Sequence, residues 1–282
     1  MEELFPSRLS TLGHPQRLAV FRLLMRRYPD RVPATELAMA LGLKPNTLST
    51  YVSALMQAGL VTQERAGTSL RYAIHMDAAR ETIDYLLNDC CRGRPEICAP
   101  LSNPNSVAAA PMDDRRYNVL FICTGNSARS IFAESILRKM AGDRFIAYSA
   151  GTNPRSALNP FALDVLKQKG HDLSVLRAKH VTAFQGADAP VFDFVFTVCD
   201  RAANEDCPPW PGQPISAHWG LTDPVKMEGS DAEKSLAFQQ TYGALHNRMT
   251  GFTALPIASL DRISLQKAVD DVGQTKEEED PA

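Results

Sequence analysis

The chain has 282 residues, of which 44% are hydrophobic and 22% are charged, and its formal net charge is −2. At about 150 residues a domain this length suggests two domains, and the hydrophobic fraction allows each a core. No apolar run reaches the ~18 residues that span a bilayer and residues 1–10 lack the apolar stretch of a signal peptide, so we expect a soluble, cytoplasmic protein with no membrane partner.

The charges and the cysteines are unevenly distributed along the chain. Residues 1–94 carry 12 Lys and Arg against 9 Asp and Glu, a net charge of +3 that leaves −5 on the remainder. This difference suits a DNA-binding N-terminal half. In a reducing compartment, cysteines are expected to be ligands or redox catalysts rather than disulfides. They form two groups of three, namely Cys90, Cys91 and Cys98, and Cys123, Cys199 and Cys207.

Three helices are predicted in the first sixty residues. The second of these helices, over residues 34–41, is ended by Gly42, and the third begins at residues 44–46. Two helices joined by a short glycine turn indicate a helix-turn-helix. In the third helix the residues expected to face inward are Leu48, Val52 and Leu55. The first helix is a core helix that stops near Pro29, and it is predicted by helical spacing of Leu12, Leu18, Phe21, Leu24 and Met25.

The opposite face of the third helix is polar. Gly59 ends this helix. A hairpin pattern follows over residues 60–74, with Arg65 and Arg71 placed to reach phosphates. A helix over residues 77–89 closes the domain. The same polar face would also fit a small helical domain that binds another protein. Its short side chains are suited to base edges and phosphates in a DNA major groove, and they are Lys44, Asn46, Thr47, Ser49, Thr50 and Ser53.

Residues 8–98 resemble the arsenic-responsive repressor family of winged helix-turn-helix dimers, through residues 12–17, residues 37–60 and the hairpin. The resemblance implies a homodimer assembled through the N-terminal domain on operator DNA, because one helix-turn-helix covers only a half-site. Members of that family sense trivalent arsenic through three thiolates, which implies that As(III) is the inducer. Three sulfurs suit pyramidal As(III), whereas a structural zinc site asks for a fourth ligand. The implied sensing residues are Cys90, Cys91 and Cys98, and the alternative is that these are surface cysteines without a ligand.

The C-terminal half predicts an α/β domain. Proline-rich residues 95–116 predict a linker, residues 117–273 form the domain, and residues 274–282 are expected to be an acidic, disordered tail. Strands and helices alternate, which is typical of a parallel sheet. The predicted segments are residues 117–122, 131–140, 145–150, 160–169, 191–198 and 232–249, with residues 255–272 packed against them.

The segment between the first strand and the first helix of this domain predicts an oxyanion cradle. Gly125 and Asn126 tolerate positive φ, and the following helix presents its positive end. Cys123 is the candidate nucleophile, and its pKa is expected to be lowered by the helix end, by Arg129 and by the Ser130 hydroxyl. Arg129 can hold two oxygens of a tetrahedral anion. The alternative is a structural cysteine at the end of a core strand. The candidate oxyanion-binding residues are Thr124, Gly125, Asn126, Ser127, Ala128, Arg129 and Ser130.

Two further thiols and a carboxyl group are candidates for the same site. Cys199 follows the strand predicted over residues 191–198 and should emerge on the same side of the sheet as Cys123. Cys207 lies eight positions later, across a loop expected to be mobile, so the pair could carry a disulfide outward. Asp223 lies on another loop as a candidate general acid.

Residues 117–273 resemble the thioredoxin-coupled arsenate reductases built on the low-molecular-weight tyrosine phosphatase fold. The resemblance is carried by the loop that begins at Cys123, by Cys199 and Cys207, and by residues 218–224. Val225 stands where the phosphatases usually carry an aromatic residue. Three residues resemble part of a potassium site, namely Asn126, Glu134 and Ser149.

The resemblance implies a mechanism without a tightly bound cofactor. Cys123 attacks arsenate held by Arg129 while Asp223 protonates the departing oxygen. Two further cysteines, Cys199 and Cys207, then release arsenite and pass a disulfide to thioredoxin. The chain is thus predicted to be a bifunctional arsenic-resistance protein, an arsenite-responsive repressor fused to an arsenate reductase. The alternatives are a tyrosine phosphatase fused to a regulator, and a regulator whose C-terminal domain only binds oxyanions.

Overall fold

The computed structural model describes residues 4–92, 115–186, 188–205 and 210–274. The chain divides into two compact units, Met1–Ala108 and Ala109–Ala282, and the division falls inside the predicted linker. Two of the predicted functional cysteines, Cys98 and Cys207, lie outside the described residues, as does the predicted tail beyond Gln274. Within the described ranges no helix is both long enough and apolar enough to cross a membrane.

The N-terminal unit is a helix-turn-helix with a β-hairpin, as predicted. Its three-stranded antiparallel sheet has the order β1-β3-β2. The inward residues predicted for the third helix, Leu48, Val52 and Leu55, are buried in the core. The elements are α1 Leu4–Leu12, α2 Pro15–Arg26, β1 Val32–Pro33, α3 Ala34–Ala40, α4 Pro45–Gln57, β2 Val61–Ala66, β3 Ser69–Ile74 and α5 Met76–Asp84.

The predicted first core helix is wrong in its extent, because two helices meet within it. Leu12 ends α1, and His14 caps α2 by accepting a hydrogen bond from the N–H of Gln16 at 3.2 Å. Pro15, with no N–H to donate, suits the first position of the new helix. Leu18 and Met25 are 39% and 36% exposed, so part of the apolar spacing does not belong to the core.

The helix predicted over residues 77–89 also differs from the structure. α5 ends at Asp84, and the chain continues as a π-helical segment, Tyr85–Cys90, that carries the first two cysteines at its end. The two-residue strand β1 was not predicted, because a strand of that length shows no alternation of apolar and polar residues.

The C-terminal unit is an α/β domain with a parallel sheet, as predicted. Its four strands have the order β5-β4-β6-β7, and every neighbouring pair is parallel. The elements are β4 Tyr117–Cys123, α6 Arg129–Ala141, β5 Phe145–Gly151, α7 Pro160–Gln168, β6 Phe194–Thr197, α8 Asp200–Asn204, β7 Ile215–His218, α9 Asp231–Ala254 and α10 Arg262–Gly273, with 3-10 turns at Val181–Phe184, Pro224–Lys226 and Ile257–Ser259.

Two details of this domain correct the predictions. The strand predicted over residues 191–198 is limited to β6, and the segment after Cys199, expected to be a mobile loop, begins as the helix α8. The fourth strand, β7, was not predicted, because its four residues include the polar Ser216 and His218 and follow a proline-rich stretch. In a parallel sheet all strands end at one edge. The ends of β4, β6 and β7 therefore bring Cys123, Cys199 and His218 to the same edge.

Candidate active site

The candidate nucleophile lies where β4 meets a tight loop. Cys123 is 3% exposed, and the loop of residues 124–128 leads from it into α6. Asn126 has φ of 43°, in the left-handed region that asparagine tolerates. Its backbone N–H donates to Cys123 Sγ at 3.0 Å. Of the predicted oxyanion-binding residues, Asn126 and Ser130 contact the thiol, and Asn126, Ala128 and Ser130 are buried.

A polar chain lies behind the thiol. Ser130 Oγ accepts from Asn126 Nδ2 at 2.9 Å and lies 2.9 Å from Cys123 Sγ, so its hydroxyl proton is available to the sulfur. Asn126 Nδ2 also donates to Ser149 Oγ at 2.9 Å, and Ser149 in turn donates to Glu134. The orientation of the Asn126 amide is fixed, because its Oδ1 accepts from the N–H of Lys179 at 2.7 Å.

The residues that resemble a potassium site are brought together by this chain, but their donors do not fit the ion. The Glu134 carboxylate has two cationic partners already, Arg138 and the ammonium of Lys179 at 3.1 Å. The Asn126 carbonyl oxygen is also occupied by a backbone N–H. The set is a hydrogen-bonded support for Ser130 and the thiol.

A second segment, residues 152–159, holds the loop from outside. Four of its N–H groups donate to the carbonyl oxygens of Cys123 and of the loop. These bonds occupy the carbonyl groups of the loop and leave its N–H groups out of the contact with this segment. The hydrogen bonds are Thr152 to Cys123 at 3.1 Å, Asn153 to Thr124 at 2.9 Å, Arg155 to Gly125 at 2.9 Å and Asn159 to Ser127 at 3.0 Å.

This segment was not predicted to belong to the site. The available signal was Gly151 at the end of β5. A Cβ at this position would lie 2.6 Å from the Thr124 carbonyl oxygen and 3.0 Å from Asn126 Cβ. Only a glycine allows β5 to approach the loop so closely.

Arg129 joins the loop to the segment that carries the candidate acid. Its guanidinium donates to the Leu221 carbonyl oxygen at 2.9 Å and pairs with the Asp223 carboxylate at 2.9 Å. The sequence suggested both residues as parts of one site, and the structure brings them into direct contact.

The expected lowering of the Cys123 pKa is wrong. Burial raises the pKa of this thiol, and the neighbouring Cys199 raises it further, whereas hydrogen bonds from Ser130 and the Asn126 N–H lower it. Burial disfavours the thiolate because the charge loses its hydration. Arg129, which was expected to supply the counter-charge, is turned toward Asp223.

Cys199 lies beside the same loop. It is 2% exposed, caps α8 through the N–H of Ala202 at 3.5 Å, and its Sγ lies 3.5 Å from Thr124 Oγ1. His218 supports this helix, since its Nδ1 lies 2.8 Å from Thr197 Oγ1 and its Nε2 lies 3.1 Å from an Asp200 carboxylate oxygen. This supporting role of His218 was not predicted, because it depends on the unpredicted strand β7.

The predicted DNA-contacting residues lie on α4 and the hairpin. All but the half-buried Thr47 are exposed, and Lys44 precedes α4 as its N-cap residue. The Ser49 and Thr50 hydroxyls donate to carbonyls one turn back, at 3.0 and 3.1 Å, which leaves their lone pairs free to accept. The other exposed residues of the set are Asn46, Ser53, Arg65 and Arg71. Of the predicted sensing residues, Cys90 is exposed and Cys91 half-buried.

Two protein-family models match the chain. A model described as low molecular weight phosphotyrosine protein phosphatase matches residues 118–265, and one described as a helix-turn-helix domain matches residues 12–64. An arsenate reductase of Halalkalibacterium halodurans is 36% identical over 134 residues, which cover 48% of this chain and 93% of the relative. The arsenate reductase of Bacillus subtilis is 35% identical with the same coverage. A solved structure titled "An arsenate reductase in the phosphate binding state" is 25% identical, with a TM-score of 0.39, over 49% of this chain and 97% of that one.

Proposed function

The chain belongs to the low molecular weight phosphotyrosine protein phosphatase family, and within this family we propose that its C-terminal domain reduces arsenate. We propose further that its N-terminal domain is an arsenite-responsive repressor. The observation that carries the reductase is the second buried thiol, since Cys199 lies against Thr124 of the nucleophile's own loop. Phosphate ester hydrolysis needs one thiol nucleophile, whereas a two-electron reduction by thiols needs a second sulfur. The similarity to curated arsenate reductases supports the same choice.

The first step exchanges the partners of Arg129. Arsenate displaces Asp223 from the guanidinium, and the loop amides and Arg129 then hold the oxyanion. The Cys123 thiolate attacks arsenic, and one oxygen leaves as water with a proton supplied by Asp223. The product is a Cys123–arsenic(V) adduct.

The second step is the reduction. The Cys199 thiolate attacks Cys123 Sγ, the sulfur–arsenic bond breaks, and its electron pair reduces arsenic to the trivalent state, which leaves as arsenite. Cys207 then attacks Cys199, releases the Cys123 thiolate and leaves a Cys199–Cys207 disulfide. Thioredoxin, the reductant implied by the resemblance, reduces this disulfide and restores the enzyme.

Single-turnover measurements test the relay. We expect Cys199→Ser to lose steady-state arsenate turnover with thioredoxin, its reductase and NADPH, yet to bind arsenic once per chain. Cys123→Ser should lose both, because only Cys123 meets the substrate. Unchanged turnover in Cys199→Ser would contradict the relay, and hydrolysis of an aryl phosphate without arsenate turnover would favour the phosphatase alternative.

The N-terminal domain offers surfaces for DNA and for a second copy. The exposed polar face of α4 and the hairpin arginines are the proposed DNA contacts. Leu4 on α1 and Ile83 on α5 are 40% and 51% exposed. Phe5 and Tyr85 stack beside them, with ring centroids 4.3 Å apart. Two helices with unburied apolar side chains suit a homodimer formed through this domain.

Light scattering tests the proposed dimer. We expect a dimer at concentrations at which operator DNA is bound, and we expect Ile83→Lys to weaken both dimerisation and DNA binding because it places a charge in the interface. The matched control is Met39→Lys, at another exposed apolar side chain of the same domain, which should leave the mass unchanged. A monomer bound to operator would rule out the dimer.

A further inference from the structure

Arg155 is a cation at the rim of the oxyanion loop that the proposed mechanism does not use. Its backbone N–H donates to the Gly125 carbonyl at 2.9 Å. Its Cγ would lie 3.4 Å from a Cβ built on Gly125, so its aliphatic stem packs over the loop. Its side chain is exposed, and no carboxylate in the described parts of the chain pairs with its guanidinium.

The arginine inside the site has no such freedom before a substrate arrives. Arg129 is paired with Asp223 at 2.9 Å and also donates to the Leu221 carbonyl. An approaching anion therefore meets a neutralised ion pair there. Burial raises the pKa of the Cys123 thiol, which disfavours a charge on this sulfur. Arg155 places an exposed positive charge beside the loop.

We propose that Arg155 captures the incoming oxyanion at the mouth of the site, before the anion replaces Asp223 on Arg129. The inference rests on the proposed function for the identity of arsenate as substrate, but the capture step applies to any small oxyanion. Attraction between a guanidinium and a dianion raises the rate of encounter and weakens as salt screens it. Arg155 therefore acts on binding and not on the chemical steps at sulfur.

Alkylation of Cys123 tests the capture without arsenate. Iodoacetate is an anion and iodoacetamide is neutral, yet both alkylate the same thiol, whose modification is followed by peptide mass. We expect Arg155→Gln to slow the iodoacetate reaction roughly three- to tenfold at low ionic strength, and to leave the iodoacetamide reaction unchanged. The difference should shrink at about 0.5 M salt, since the Debye length falls to a few ångströms.

Two variants separate local charge from structure. Arg155→Lys keeps the charge and should retain most of the iodoacetate rate. Lys167→Gln removes an exposed charge from the last turn of α7. Only the first turn of that helix lies next to the loop, so this variant should change neither rate. Equal slowing of both reagents in Arg155→Gln would mean that the side chain only supports the loop, and no slowing of either would mean that it attracts no anion. Each result overturns the proposal.

Arsenate kinetics then place the step in the reaction. Arg155→Gln should raise KM for arsenate roughly three- to tenfold and leave kcat unchanged, because the bound complex no longer depends on the capture step. A fall in kcat with KM unchanged would overturn the proposal. If the charge-selective alkylation is observed and arsenate is not reduced by the wild-type protein, the capture site stands and the proposed reductase activity fails.

Discussion

At the scale of single residues, opposing effects act on the Cys123 thiol. Burial and the nearby Cys199 raise its pKa, while hydrogen bonds from Ser130 and the Asn126 N–H lower it, and burial prevails. A buried thiol with a raised pKa is a poor nucleophile, because little of it is thiolate. In the proposed exchange of partners, arsenate replaces Asp223 on Arg129, so substrate binding would bring a positive charge to the thiol and favour the thiolate.

The opposing effects can be separated by the pH dependence of Cys123 alkylation with iodoacetamide. Since the pKa is raised, we expect the rate to keep increasing as pH passes the ordinary thiol value of about 8.5. Ser130→Ala removes a hydrogen bond that favours the thiolate, so the curve should move to higher pH. Cys199→Ser removes a neighbour that disfavours it, so the curve should move to lower pH. A rate already constant below pH 7.5 would show a lowered pKa instead.

At the scale of elements, the close contact between β5 and the loop of residues 124–128 depends on one glycine. Gly151 permits this contact, because a Cβ there would lie 2.6 Å from the Thr124 carbonyl oxygen. Gly151→Ala must push β5 and the loop apart. We expect a loss of about 1–3 kcal/mol in the free energy of unfolding, as for other overpacked sites. We also expect inorganic phosphate to protect Cys123 less well from alkylation by iodoacetamide.

Gly243 provides the matched control within α9. A Cβ at this position meets no atom within 4 Å. Gly243→Ala should therefore leave phosphate protection unchanged and stabilise the protein slightly, since alanine is favoured over glycine inside a helix by about 1 kcal/mol. Thermal unfolding and alkylation measure both quantities. If Gly151→Ala behaved like the control, the tight contact would be unimportant for the loop.

At the scale of the whole molecule, the fusion joins a proposed producer of arsenite to a proposed sensor of it. Thiolates prefer soft trivalent arsenic to the hard, fully oxygenated arsenate anion. We therefore expect the protein to stay on operator DNA when arsenate is added alone. It should dissociate when thioredoxin, its reductase and NADPH are also present, and arsenite should release it without catalysis.

Substitutions in each cysteine group separate the two activities in a DNA-binding assay. Cys123→Ser should lose the response to arsenate and keep the response to arsenite. Replacing both Cys90 and Cys91 by serine should remove both responses while arsenate is still reduced. Release of DNA by arsenate in the Cys123→Ser protein would show that the two groups are not linked as producer and sensor.

The sequence by itself determined the features that depend on neighbours in the chain. The two-domain order, the helix-turn-helix and the strand–loop–helix around Cys123 could be predicted, because each is carried by contiguous residues with a recognisable period or turn. The tertiary structure alone decided the contacts between distant segments. Arg129 meets Asp223, residues 152–159 hold the loop, and β7 brings His218 to the helix after Cys199. The direction of the Cys123 pKa belongs with these, since burial and a turned-away arginine depend on how segments pack and not on the residues next to the thiol.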